Sequence, residues 1–378
     1  MAPVSVLIFH ADPAPAGPLE RLLADARRQL AERHRSGFLA AGADTARVVA
    51  GPLDDTPFGR RLAEAVESIG GSGLGVPGGL GGPGGLIVLG SGAVPLARSV
   101  DFRAFVDAAA HPERVALANN RYSADVVAIA RAAELPPIPD LPGDNALPRW
   151  LAERAGWEVH DLGSRHRLQL DLDSPLDLAL LAGRSRCSPG LRELAATAGG
   201  RFATVRDRLR AVGSVMADPR AELVVAGRTS ATTLRWLERR TACRVRALVE
   251  ERGLRAASPL ALGEDGGAAR SRARPPGSIL GILLDRTGPE ALGSLLGELG
   301  DAALVDTRVL LAHRLGLDEG AWPPPEDRFA SDLLEPSSIA DPWLRTLTAS
   351  VVAAPIPVLL GGHTLVGPGV RLLTGRTG

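Results

Sequence analysis

Short runs of apolar, β-branched residues recur along the whole chain, and most are followed by a longer stretch whose apolar residues fall at helical spacing. Val4–Phe9 precedes Leu19–Ala41, Thr45–Ala50 precedes Phe58–Ile69, and Leu86–Leu89 precedes a helix predicted over Asp101–Ala110. Val115–Ala118 and Trp157–Asp161 read as further strands, with a helix over Ala146–Ala155 between them, and Leu168–Gly183 reads as strand, cap and helix. The second half repeats the pattern: strands at Leu223–Ala226, Arg244–Val249, Ala302–Val305 and Ile356–Leu360, helices at Thr229–Arg240, Gly288–Leu299, Thr307–Arg314 and Pro342–Ala354. A strand and a helix alternating through short connections bury their apolar faces against each other, which predicts an α/β protein with mostly parallel sheets and helices on their faces. A chain of 378 residues suits about two domains. A change of texture over 183–190 places them at 1–183 and 190–378. The Gly-rich stretch Gly70–Gly85 reads as a flexible insertion. It precedes a strand instead of joining a strand to a helix, so it is not the geometry of a phosphate loop. A charged stretch at Gly263–Gly277 reads as a mobile loop.

The charge balance narrows the partners. Basic and acidic residues number 43 each, well mixed, so no field favours a phosphate backbone or an anionic membrane. All the basic residues are arginine, which removes Schiff-base and Walker-lysine chemistry. Cys187 and Cys243 lie far apart and outside any metal-ligand spacing, consistent with a reducing compartment. No apolar run approaches the length of a membrane span, and the amino terminus enters a strand without a basic leader; the expectation is a cytoplasmic protein.

The strongest chemical signal is Leu170-Asp171-Leu172-Asp173-Ser174-Pro175-Leu176-Asp177-Leu178. Acids two apart on an extended segment face the same way, and hard cations prefer carboxylate oxygens. The same residues also spell a helix start, with Asp and Ser as caps and Pro in the first turn. The segment resembles the D-[ILV]-D-[ST]-P-x-D-L motif of GT-A-type nucleotidyltransferases, the group that includes the molybdenum-cofactor and phospholactate guanylyltransferases. Leu86–Leu96 is similar to that family's apolar strand followed by G-D-x-P-L, with Ala93 where the family carries a metal-binding aspartate. The family's amino-terminal Gly-rich turn with arginine and lysine is replaced by His10-Ala11-Asp12-Pro13.

The resemblance covers roughly residues 1–182 and implies a GT-A-like first domain ahead of a second α/β domain. It implies Mg²⁺-dependent transfer of a nucleoside monophosphate from a nucleoside triphosphate to a small phosphorylated or cofactor acceptor. Asp171 and Asp173 would hold the metal, Asp101 or Asp125 would replace the acid missing at Ala93, and Arg21, Arg27 and Arg28 would steady the triphosphate. Asn119 follows a strand where sugar or base recognition is expected, and Asp144 and Asn145 lie in a stretch similar to G-T-N-A-L. Both segments also read as ordinary Asn/Asp turns.

Polar residues follow three strands of the second half: Arg228-Thr229-Ser230, Asp306-Thr307-Arg308 and Gly362-His363-Thr364. Ligands of open α/β sheets bind beyond the carboxyl ends of strands, so Arg228, Arg308 and His363 are candidates for holding a phosphate or carboxylate, with Asp332 beside them. The same residues also read as helix caps and solvated arginines. Two functions stay open at this point: a nucleotidyltransferase, or a non-catalytic nucleotide- or anion-binding protein whose ligand lies in the second domain.

Overall fold

The computed structural model describes residues 2–12, 17–52, 54–70, 84–184, 187–250 and 277–374. The Gly-rich stretch at 71–83 and the charged loop at 263–276 lie outside them. The chain is α/β throughout and divides into two compact units. Among the described residues, the first holds the opening strand and Ala24–Leu172; the second holds the start of α1 and the residues from Asp173 onward. The change comes at Leu172/Asp173, ahead of the 183–190 read from texture, because α5 (Pro175–Ala182) packs its Leu176, Leu178 and Leu181 among the helices of the second unit.

The first unit is a mixed, mostly parallel six-stranded sheet of β1 (Val4–Asp12), β2 (Thr45–Pro52), β3 (Gly85–Gly90), β4 (Val115–Ala118), β5 (Val126–Ala130) and β6 (Glu158–Asp161). Their order is β2-β1-β3-β5-β4-β6, and only β5 runs against its neighbours. Alternate residues serve opposite faces. Val4, Val6, Ile8, Ile87 and Leu89 meet Phe38 of α1 (Pro18–Ala40) and Phe102 and Phe105 of α3 (Ser99–Ala109). Leu7, Leu86, Val88 and Ile129 meet Leu62 of α2 (Phe58–Gly70), with Trp150 of the short α4 (Leu147–Trp150) and Trp157. Burial on both faces explains why β1, β3 and β5 are apolar almost without interruption.

Two sequence readings need correction here. Val126–Ala130 is a strand that went unread, because the short apolar run VVAIA is followed by no helix at helical spacing before the Pro-rich loop. Leu170–Asp173 is extended but is not a strand. Its Leu170 and Leu172 are buried and alternate with less buried acids, so the period of two is real, yet Leu172 donates its N–H at 2.9 Å to Gly92 O in a loop instead of joining a ladder.

The second unit carries a parallel four-stranded sheet of β7 (Glu222–Gly227), β8 (Arg244–Val249), β9 (Ala302–Asp306) and β10 (Val358–Gly361), in the order β10-β9-β7-β8. Helices α6 (Pro189–Thr197), α7 (Ala203–Ala217), α8 (Ala231–Arg240), α9 (Ile279–Thr287) and α10 (Leu292–Leu299) accompany it. So do α11 (Thr307–Leu315), α12 (Pro325–Asp332), α13 (Pro342–Val352) and the single turn α14 (His363–Val366). Strand β9 is apolar until Asp306 and β10 is apolar throughout, whereas edge strand β8 exposes Arg244, Arg246, Ala247 and Val249. Cys187 and Cys243, both in this unit, are buried and not joined in a disulfide. No helix among the described residues is long and apolar enough to cross a membrane.

Candidate functional site

In each unit the strand order reverses direction beside one strand, and open α/β sheets bind ligands beyond the carboxyl ends of the two neighbours at such a reversal. In the first unit these neighbours are β1 and β3. His10 is buried near the end of β1, and its Nδ1 lies 3.0 Å from the Ser91 hydroxyl just after β3. Its Nε2 lies 3.2 Å from Asp12 Oδ1. Burial lowers the His10 pKa, opposed by Asp12 and reinforced by Arg28 and Arg27, so the ring is neutral at pH 7. Serine, histidine and aspartate in a row invite a nucleophilic reading, but the exposure is inverted. Ser91 is 4% exposed while the Asp12 side chain is 52% exposed, so the hydroxyl is shielded and the row serves to tie β1 to the loop after β3.

That loop is held from α1. His34, fully buried, donates from Nε2 to Ala93 O at 2.7 Å, and Arg33 donates to Pro95 O at 3.1 Å and Ala97 O at 2.5 Å. Between these anchors Val94 sits at φ 41°, a left-handed conformation that a β-branched residue resists. The acidic segment docks on the same loop. Leu172 donates to Gly92 O, and Arg27 Nε donates to Leu172 O at 2.8 Å. A Cβ at Gly92 would stand 3.0 Å from both Arg27 Nε and Leu172 O, so a side chain here would push its neighbours by a few tenths of an ångström. Arg28, exposed, reaches Asp25 at 2.6 Å and Asp12 at 3.4 Å; Arg21 is exposed on the first turn of α1.

The helix start after the acids is closed by other residues. Ser174 Oγ accepts from Asp177 N at 3.4 Å, while Asp177 Oδ2 accepts from the N–H groups of Asp173 at 3.0 Å and Ser174 at 2.8 Å and from the Ser174 hydroxyl at 3.0 Å. Asp171 is half-buried and Asp173 exposed. Burial pushes the Asp177 carboxyl up to about 7, helped by the charges of Asp173 and Asp332 and opposed by the bonds from Ser174 and the backbone.

Several residues read from the sequence serve the scaffold. Asn119 is fully buried and donates to Asp125 at 2.7 Å and Leu168 O at 2.8 Å, while its oxygen accepts from Asp125 N and Val126 N. Two donors and two lone pairs are thereby used, leaving none for a base or sugar. Asp101 is fully buried under Arg165 at 2.9 Å and Arg167 at 2.7 Å and accepts from Arg98 N, so its oxygens are taken; Asp125, half-buried, accepts from Asn119 through one carboxylate oxygen. Asp144 accepts from Asn145 N at 2.8 Å in the turn before α4, and the Asn145 side chain is exposed.

In the second unit the reversal lies between β7 and β9. The polar residues expected there do converge. Arg228 grips Asp306 through Nε at 2.7 Å and Nη2 at 3.1 Å, and Arg308 grips Asp332 in the same two-pronged way, with Nη2 2.6 Å from Oδ2. Asp306 also caps α11 by accepting from Arg308 N at 3.2 Å, and Thr307 donates to Gly361 O at 3.2 Å. Burial disfavours the Arg308 charge, but the carboxylates of Asp332, Asp306 and Asp177 more than offset it and raise its pKa. Half-buried His363 is lowered by burial and by Arg228, against the pull of Asp173; its ring and the Asp173 carboxylate offer atoms within 4.8 Å of each other. Gly227, at φ 129°, leaves no room for a side chain because a Cβ would come within 2.3 Å of Asp306 Cβ. The hydroxyls of Thr229 and Thr364, buried at the ends of β7 and β10, have no hydrogen-bond partner among the described residues.

His10, Ser91 and Asp177 were not singled out as site residues by the sequence. The signal for His10 and Ser91 is positional, a polar residue closing or just following an otherwise apolar strand, and that for Asp177 is its place three residues after the capping Ser174. Compared with known proteins, the chain matches no family model, and no curated protein matches it.

Proposed function

We propose that the first unit is a GT-A-like nucleotidyltransferase module that binds a nucleoside triphosphate at the carboxyl ends of β1 and β3 and passes its nucleoside monophosphate to a small phosphorylated or cofactor acceptor. The strand order, with one reversed strand, supports the GT-A-like assignment. The observation that carries the reading is the bond from Leu172 N to Gly92 O, which brings the segment bearing Asp171 and Asp173 to the loop after β3. Magnesium takes one or two carboxylates, the remainder of its shell being phosphate and water, so Asp171 and Asp173 are a sufficient donor set although Ala93 supplies no oxygen. When bound, the ion would neutralise charge building on the phosphates.

The chain's own contribution is positioning. Arg27 fixes the acidic segment through Leu172 O, and Arg28 stands exposed on α1, paired with Asp12 at the end of β1. In the transfer, an acceptor oxygen forms a bond to the α-phosphorus as the bond to pyrophosphate breaks, and the acceptor's proton passes to solvent. Calorimetry with GTP, CTP and ATP in the presence of Mg²⁺ tests the reading. Binding of one nucleotide that weakens at least tenfold in Asp173→Ala and in Arg28→Ala is expected; absence of binding for all three overturns it.

A second reading has an observation of its own. The Thr229 and Thr364 hydroxyls, without a partner among the described residues and near the Arg228–Asp306 and Arg308–Asp332 pairs, favour a small polar ligand beyond the carboxyl ends of β7 and β9, held without catalysis. Unchanged nucleotide binding in Thr229→Val together with loss of a second ligand's binding distinguishes this site from the first.

A further inference from the structure

A cavity of about 750 Å³ opens in the second unit among α5, α6, α7 and the carboxy-terminal segment at Leu372 and Leu373. Its floor is apolar, with buried Leu180 and Phe202 beside Leu373, and α6 and α7 contribute alanines that leave the space unfilled. Four arginines line it, Arg184, Arg192, Arg206 and Arg210, against a single acid, Asp207, which pairs with Arg210. In a chain with equal numbers of acids and bases, three positive charges in excess around one apolar hollow is a local concentration, not a reflection of composition.

Three of the four point their bonds at backbone oxygens. Arg184 donates to Thr374 O at 3.0 Å, Arg192 to Cys187 O at 3.0 Å and Arg206 to Phe202 O at 3.3 Å. Arg184 is half-buried and, among the described residues, forms no ion pair; burial lowers its pKa, the signature of a cation taken from water without an opposing charge. A guanidinium in that state gains when an anion arrives, and apolar walls gain when an apolar group covers them.

We infer that this cavity binds a small amphipathic anion, an apolar chain or ring carrying a carboxylate or phosphate head, with the apolar part against Leu180, Phe202 and Leu373 and the head among Arg184, Arg192 and Arg206. The size lies within the range of small-molecule sites. This site is separate from the nucleotide site and does not depend on it.

Calorimetry on the full chain with sodium octanoate and octyl phosphate, each below its micelle concentration, tests the inference, with octanol and octyltrimethylammonium as controls of matched chain length. At least one of the two anions should bind with a 1:1 stoichiometry, at least tenfold more tightly than octanol, with the cation not binding. The preferred head, carboxylate or phosphate, identifies which of the two chemistries the site takes. Arg184→Gln should weaken the bound anion about tenfold or more. Because a half-buried arginine also supports the fold, Ala203→Trp on the exposed start of α7 provides the second variant: it fills the cavity without removing a charge and should abolish binding with the thermal midpoint unchanged. Equal binding of octanol and the anions, no binding of either anion, or full affinity retained in Ala203→Trp overturns the inference.

Discussion

The imidazole of His34 donates from Nε2 to the carbonyl oxygen of Ala93 across 2.7 Å, joining the middle of α1 to the loop after β3 at a point closed to solvent. Burial lowers its pKa from 6.5 to about 3, partly offset by that bond, so the folded protein holds the ring neutral. Since the unfolded chain takes up the proton first, the stability due to the neutral ring is fully present above about pH 6.5 and is lost as pH falls toward about 3. His34→Gln keeps an N–H donor and cannot titrate. Its thermal midpoint, followed from pH 7 to pH 4, should fall less steeply than that of the parent; an identical slope would show that His34 is not the titrating group.

Asp177 has the opposite sign. Its carboxyl is raised from 3.8 to about 7, so the folded protein holds the proton where the unfolded chain has released it. The associated stability is complete below about pH 3.8 and is lost as pH rises through about 7. Asp177→Asn retains an acceptor for the N–H groups of Asp173 and Ser174, and should be at least as stable as the parent at pH 8 while losing this slope. A large loss of stability in Asp177→Asn at pH 8 would show that the ionised carboxylate is needed by the helix start.

Asp332 and Arg308 are expected to be strongly coupled. Removing one partner leaves a buried charge uncompensated, so Arg308→Met or Asp332→Leu alone should cost about 3–5 kcal/mol, while the double variant should lose far less. Denaturant unfolding of the four proteins measures the coupling. Additive single losses would mean that the two side chains do not depend on each other.

Gly227→Ala should be destabilising by about 2 kcal/mol or more, from a left-handed backbone and from collision with the side chain that Arg228 grips. Gly92→Ala collides only at 3.0 Å, and one of its two neighbours, Arg27, has a flexible side chain. Its fold should survive, with nucleotide affinity reduced several-fold because the acidic segment is pushed from the loop. Retained affinity in Gly92→Ala would separate the docking of Leu172 from nucleotide binding.

Much of the architecture was legible because burial on both faces of a sheet leaves an unmistakable trace: β1, β3, β7 and β9 read as apolar blocks bounded by polar residues. The reversed strand β5 was not read as a strand at all; its direction follows from its short connection to β4, with which it pairs antiparallel. The loop conformation of Leu170–Asp173 was not legible either, because the alternation of Leu and Asp reports burial but not which backbone accepts the bonds. At the sites, the residue types picked out the strand ends of the second unit, but whether an arginine meets a ligand or an aspartate is decided by contacts such as Arg308 with Asp332, 24 positions away. Asn119 misled for the same reason. A polar residue after a strand looks available until its four hydrogen bonds are traced.

Burial of Cys187 and Cys243 gives the second unit a clock that needs no introduced label. Desolvation holds the Cys243 thiol above its ordinary pKa, so a disulfide reagent added to the folded protein waits for the structure to open before it can react. One sulfur lies just ahead of α6 and the other immediately before β8, so the two reaction rates time the loosening of a helical flank and of a sheet edge separately in one experiment.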